Sequence, residues 1–283
     1  MTSVERFESM SEENTEQNPI QIKLVKWTPT NPPKQVLEFL NRPAILPEAE
    51  AAARKVLDDV RERGDAAVVD AVAQFDDQKL APAKFAVTKA ERMAAMEKVD
   101  ADFKKAAQEA LTRVTKFSKA GLRKDWNILS PKGGLMGEQF QPLERVGCYI
   151  PGGAAPLAST AIMTAGLAKV AGVPEIVACT PAEKNGRVNP YVLYALDLAG
   201  ATEIYRIGGI QAIGAMAYGT KTIAPVQKIV GPGGPYVTAA KKLVYGTVDL
   251  DLVAGPSEVA ILADDSAVAS HVAADLLAQA EHG

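Results

Sequence analysis

The chain has 283 residues, 47% hydrophobic and 23% charged, which excludes the disordered and fibrous classes and gives about two domains at about 150 residues each. Lys and Arg total 31 against 34 Asp and Glu, a net charge of −3, so no basic excess points to nucleic acid. No run reaches the roughly 18 consecutive apolar residues of a membrane span, and the two cysteines, Cys148 and Cys179, form no disulfide framework and suit a reducing cytoplasm.

In chain order, residues 1–18 carry five Glu and one Arg with no apolar core. They resemble neither a secretory signal nor a transit peptide and read as part of a disordered acidic tail over residues 1–20. Pro47 opens a helix with Ala51, Val56, Leu57 and Val60 at helical spacing, closed by Gly64. Thr88 and Glu91 have capping-box spacing. Asp100 caps a helix whose Phe103, Ala107, Leu111, Val114 and Phe117 share a face, ended by Gly121. Lys132-Gly133-Gly134 is a turn between two extended segments.

Of 22 glycines, 19 lie between Gly133 and Gly255, so the pattern changes there to short elements and turns. Val146–Ile150 is a strand before Pro151-Gly152-Gly153, followed by a helix over Ser159–Ala171. Ile176–Cys179 precedes a helix over Pro190–Leu198. Ile204–Ile207 leads into Gly208-Gly209 and a helix over Gln211–Tyr218. Lys228–Val230 leads into Gly231-Pro232-Gly233-Gly234 and another helix. Strands alternating with helices predict a parallel sheet covered on both faces, with ligands at the carboxyl ends of the strands, where the glycine turns fall. Val259–Ala263 reads as one more strand, and a helix runs from Ser266 to His282, expected to pack against the amino-terminal helices because neither buries its apolar face alone.

On that last helix Asp275, Gln279 and His282 are spaced i, i+4, i+7 and share a face. Together they offer oxygen and nitrogen ligands to a divalent metal, although a solvated polar stripe has the same spacing. His271 is eleven residues before His282, about 16 Å along the axis, so the two cannot share one metal; it reads as a surface residue. The glycine turns present backbone N–H groups at helix starts, which suits a nucleotide phosphate, or they serve only as turns; none reads G-x-G-x-x-G. Tyr149 and Gln211 would face the crevice as a stacking ring and an amide, or pack and cap. Cys148 and Cys179 read as inert core thiols. Ser257 follows Gly255-Pro256 and could bind substrate or cap a strand end.

Several blocks resemble the histidinol dehydrogenase family. They are Ala254-Gly255-Pro256-Ser257-Glu258-Val259, Ala274 to Gly283 (ADLLAQAEHG), Val146 to Leu157 (VGCYIPGGAAPL), Gly208-Gly209-Ile210-Gln211-Ala212-Ile213, Gly231-Pro232-Gly233, and Val60 to Ala67 (VRERGDAA). The resemblance runs from about Ile22 to Gly283. It implies NAD-dependent oxidation of L-histidinol to L-histidine through the aldehyde, the last step of histidine biosynthesis, by a cytoplasmic homodimer with one zinc per shared site. On it, Tyr149, Gln211 and Gly234 fall on NAD-binding positions. Ser257 falls on a substrate position, and Gln279 and His282 fall on zinc ligands that also touch the amino alcohol.

The sequence departs from the family pattern in three places. Gly234, followed by Pro235, stands where the family has Asn, leaving only backbone contact to NAD. The loop Tyr245–Leu250 looks shortened. The family continues past Gly283, and its Glu-His acid–base pair and two further zinc ligands lie there, so no catalytic residue is expected within this chain. The expected fold is α/β: a Rossmann-like sheet with flanking helices over 146–256, a helix-rich 21–145 belonging to a second α/β domain, and a return to that domain over 257–283. Two alternatives are a related zinc-dependent dehydrogenase of another polar alcohol, such as a sulfonated diol, and a non-catalytic nucleotide-binding fragment. No nucleic-acid or membrane partner is expected.

Overall fold

The structure is a computed structural model that describes residues 25, 28, 30–43, 45–153, 156–254 and 257–280. The acidic tail over residues 1–20 lies outside the described residues. Contacts divide the chain into two units, 1–42 and 43–283. The first holds one described helix, α1 (Lys34–Leu40), with no buried residue.

The second unit begins with α2 (Pro47–Arg63), which has proline in its first turn and ends at Gly64, φ +59°. Glycine tolerates that backbone region. α3 (Asp65–Phe75) follows at once. α4 (Lys89–Lys98) starts on a full capping box: Glu91 N–H donates to Thr88 Oγ1 at 3.2 Å and Thr88 N–H to Glu91 Oε2 at 2.9 Å. α5 (Ala101–Ala120) is capped by Asp100, which accepts the Phe103 N–H at 2.8 Å. On its expected apolar face Ala107 is buried and Phe103, Leu111 and Val114 are half-buried. Phe117, a turn from the end, is 84% exposed.

β1 (Trp126–Leu129) and β2 (Leu135–Glu138) form the expected hairpin across the Lys132-Gly133-Gly134 turn, with every strand residue exposed. The central sheet then builds from β3 (Arg145–Tyr149), β4 (Glu175–Cys179), β5 (Glu203–Tyr205), β6 (Lys228–Val230) and β7 (Asp249–Leu250), in the order β5-β4-β3-β6-β7. Every pairing is parallel. Between the strands run α6 (Ala158–Val170), α7 (Pro190–Ala199), α8 (Gly209–Tyr218) and α9 (Pro235–Val244). α7 opens on Asn189, which accepts the Tyr191 N–H at 2.9 Å, and closes on left-handed Gly200.

Strand side chains alternate between two cores, as a pleated sheet buried on both faces requires. Val146, Cys148, Ile176, Ala178 and Ile204 point to one face, where they pack with α6 and α7 and with Ala95 and Ala107 of α4 and α5. Tyr149, Val177, Cys179, Tyr205 and Ile229 point to the other, where α8 and α9 pack with α2 and α3. α2 and α3 thus cover one face of the sheet and α4 and α5 the other.

Beyond β7 the structure departs from the expectation. Val259–Ala263 is not a strand: 257–265 carries no helix or strand, and its described residues are exposed, Leu262 completely. An apolar run becomes a strand only with a hydrogen-bonded neighbour, and the sheet ends at the two-residue β7. The last helix, α10, spans Ala269–Ala280 and buries none of its described residues. The expected packing of its apolar face against the amino-terminal helices is therefore not seen as burial.

Candidate functional site

The order β5-β4-β3-β6-β7 means that the chain steps outward from β3 through β4 to β5, then returns to place β6 on the other side of β3. That reversal opens a crevice at the carboxyl ends of β3 and β6. Three pieces meet there: Tyr149 at the end of β3, the first turn of α8 with Gln211, and the turn Gly231–Gly234 between β6 and α9.

Tyr149 is buried, with its hydroxyl accepting the Gly209 N–H at 3.0 Å. Burial is the main cause that pushes its phenol up to about 12, against a smaller opposing effect of that hydrogen bond. The ring belongs to the core beneath the crevice. Of the two readings open for Tyr149, a stacking face or core packing, its burial fits the second, and the hydroxyl, tying β3 to the start of α8, is its polar part.

Gln211 is 1% exposed. Its Nε2 lies 3.4 Å from Asp76 Oδ2, just past the end of α3. A carboxylate can only accept, so the amide nitrogen faces Asp76 and the oxygen faces away. That oxygen, Oε1, is buried without a hydrogen-bond partner. An orphaned buried acceptor costs about 1–3 kcal/mol, a cost that a hydrogen-bond donor from a ligand or a water would relieve. Burial also raises the Asp76 carboxyl, partly offset by Gln211. Gly209, φ +65°, keeps its α-carbon against this amide: an added Cβ would stand 2.8 Å from Gln211 Oε1.

The Gly231–Gly234 turn is held differently at its two ends. Gly231 has φ +120° and presses on the backbone of Tyr149. Gly234 is the N-cap of α9, extended, with no side-chain cap and nothing within 4 Å of where a Cβ would be. A ten-residue helix starts here on Pro235, which has no N–H, and the Thr238 N–H is bonded to the Gly234 carbonyl, so the Tyr236 and Val237 N–H groups are those its first turn offers to a phosphate. A cleft of about 190 Å³ lies past the ends of β3 and β4, walled by Pro151, Gly152, Thr180 and Pro181 and by Asn189 at the start of α7.

The other sequence candidates lie elsewhere. Gln279 and Asp275 of α10 line an open recess with Glu258–Leu262, and no residue of the β3–β6 crevice contributes to it. Ser257, next to that recess in sequence, is exposed. His282 lies outside the described residues, and His271 is exposed. Among the described residues no three His, Cys, Asp or Glu side chains stand together as a metal cluster. Cys148 and Cys179 are free, buried and on opposite faces of the sheet. Burial pushes the Cys148 thiol up to about 12 and Cys179 higher still.

Three polar residues near the crevice were not anticipated: Asp76, Lys241 and Asp251. Lys241 had a readable signal. With Val237 and Val244 it occupies the buried stripe of α9, where a lysine is out of place without a partner. Asp76 had none, because its partner Gln211 is 135 positions away.

A family model described as histidinol dehydrogenase matches residues 42–283. A histidinol dehydrogenase from Symbiobacterium thermophilum is 47% identical over 252 residues, 88% of this chain and 57% of that protein. One from Rhodopseudomonas palustris is 50% identical over 235 residues, 83% of this chain and 54% of that protein. The crystal structure of the Elizabethkingia anophelis histidinol dehydrogenase matches with TM-score 0.79 and 40% identity, covering 89% of this chain and 59% of that one. The chain thus spans just over half the length of the curated relatives it matches.

Proposed function

This chain belongs to the histidinol dehydrogenase family, and from that premise we propose that it contributes the dinucleotide-binding half of an enzyme that oxidises L-histidinol to L-histidine through L-histidinal. The observation that carries the reading is the buried, unpartnered Gln211 Oε1 in the first turn of α8, a turn that the Gly209 N–H ties to the Tyr149 hydroxyl at the end of β3. NAD, when bound, supplies the hydride acceptor. Gln211 accepts a hydrogen bond from it, the α9 N-terminus faces its phosphates, and Gly234 leaves room for close backbone approach. Tyr149 fixes the start of α8 through its hydroxyl.

In this reading, 146–256 carries the dinucleotide, and 257–283 works with 21–145 on the substrate side. Ser257, Gln279 and His282 hold the amino alcohol, with Gln279 and His282 as ligands to zinc. Gln279, half-buried as a residue, lines a recess with Asp275 and Glu258, a set of oxygen donors compatible with a divalent ion. Proton removal and water activation belong to the part of the family's length that this chain does not span. The complete enzyme acts as a cytoplasmic homodimer. Two buried free thiols suit a reducing compartment, and no helix among the described residues is long and apolar enough to cross a membrane.

The test joins this chain to the carboxy-terminal part of the Symbiobacterium relative and follows NADH formation from L-histidinol with zinc present. Turnover by the joined chain, none by the 283 residues alone, and a severe loss with Gln211→Leu are expected. A folded, zinc-loaded joined chain that fails to reduce NAD with histidinol refutes the reading.

A further inference from the structure

Lys241 is the one buried lysine among the described residues, 4% exposed on the inner face of α9. Its ammonium is ion-paired with Asp251 Oδ1 and donates to the Gly231 carbonyl at 2.8 Å. Asp251 follows β7, and its backbone N–H donates to the Ile229 carbonyl of β6 at 3.3 Å. Its second oxygen, Oδ2, accepts the Gly231 N–H at 2.7 Å. One ion pair therefore takes both backbone polar groups of a single residue, one through the cation and one through the anion. Thr238, also on α9, adds a hydroxyl bond to the Gly233 carbonyl at 3.2 Å.

Stability alone does not account for this arrangement. With Lys241 buried but the Asp251 side chain 35% exposed, solvent screens the pair and its net contribution to stability is small. What an apolar pair could not do is occupy the Gly231 N–H and C=O, which would otherwise be left to water or without a partner. With both ends tied, the residue is held at φ +120°, its α-carbon against the Tyr149 carbonyl. Tyr149 in turn reaches the start of α8 at Gly209. The end of β3, the β6–α9 turn and the first turn of α8 are thereby linked through one bridge.

We propose that the Lys241–Asp251 ion pair is a positioning device for the dinucleotide site: it fixes the Gly231 peptide groups and thereby sets the β6–α9 turn against Tyr149. Its consequence for affinity rests on the dinucleotide reading above; its control of the turn does not. Neither side chain is a catalytic residue. The pair acts through the backbone it holds.

The experiment uses the 283-residue chain with Lys241→Met and, as a near-isosteric second variant, Asp251→Asn. Leu196→Ala, in the core on the opposite face of the sheet, serves as a control that lowers stability without touching the turn. NAD affinity is measured by calorimetry, and amide hydrogen exchange is followed on peptides covering 229–240, at a temperature where circular dichroism shows every variant folded. Both pair variants are expected to weaken NAD binding about tenfold, the scale of one lost charge-assisted hydrogen bond, and to speed exchange in the turn. Leu196→Ala should leave affinity within about twofold. Unchanged exchange over 229–240 in either folded variant overturns the proposal. So does an unchanged NAD affinity, or an equal loss in Leu196→Ala. If the unaltered chain binds no NAD, the dinucleotide reading fails, and the exchange data alone decide whether the pair holds the turn.

Discussion

Replacing Gly231 with alanine tests the tightest point of the site. At φ +120° an L-residue is strained whatever the space around it, at a cost of about 1–3 kcal/mol. The added Cβ would also stand 3.1 Å from the Tyr149 carbonyl carbon and 3.2 Å from its nitrogen, and closer still to its oxygen. These are backbone atoms in the central strand of the sheet, which cannot swing aside as a side-chain tip can. Overpacking of that kind costs about 1–3 kcal/mol more. A combined loss of about 2–6 kcal/mol, at about 2–4 °C per kcal/mol for a domain of this size, lowers Tm by roughly 5–20 °C. Differential scanning calorimetry reads this directly. Gly234→Ala is the internal contrast: its φ is −67° and nothing lies within 4 Å of its Cβ, so its Tm should stay within about 2 °C. A Gly231→Ala protein that melts with the unaltered chain would show that the turn does not press on β3 as described.

Gln211→Leu should raise the thermal stability of the ligand-free chain, because it removes a buried acceptor without a partner, worth about 1–3 kcal/mol, while weakening NAD binding; a drop in both, or in neither, contradicts the role given to Oε1. Burial raises the Glu91 carboxyl, but hydrogen bonds from Arg206 and Thr88 outweigh it and bring it from 4.5 to about 2. A folded-state value below the unfolded one gives stability that is complete above pH 4.5 and is lost as pH falls towards 2. Glu91→Gln should therefore flatten the pH dependence of the urea midpoint in that window; an unchanged slope refutes the assignment. Cys148 and Cys179 should resist iodoacetamide in the native chain and react only on unfolding, since burial keeps both as thiols; rapid native labelling of either contradicts their placement.

What the sequence made legible was local. β3 and β6 were readable because each is a short run ending at a glycine turn, and α4 and α5 because Thr88 and Asp100 announce helix starts; the Asn189 cap of α7 was not singled out. The same locality made Tyr149 and Gln211 candidates, as residues beside turns, whereas Gly234 entered only through the family resemblance. Their surroundings are set by distant residues and were not readable. Tyr149 could have faced the crevice or packed in the core, and only the fold shows it closed over by the α8 side of the core. Asp76 meets Gln211 across 135 positions. Lys241 and Asp251 bridge a helix to the sheet edge through a glycine of a third segment. α3 has no start signal beyond Gly64, which gives no side-chain cap. Val259–Ala263 shows the opposite failure: the pattern is that of a strand, but pairing depends on a neighbour that the run cannot specify.

The central claim, that the β3–β6 crevice with Gln211 is the dinucleotide site, is tested most directly by calorimetric titration of NAD into the 283-residue chain, into Gln211→Leu and into Gln279→Ala. The account predicts one NAD per chain, affinity weakened about tenfold by Gln211→Leu, and no change with Gln279→Ala, whose side chain lines a different recess. NAD binding that survives Gln211→Leu unaltered, or that is lost with Gln279→Ala instead, would contradict it.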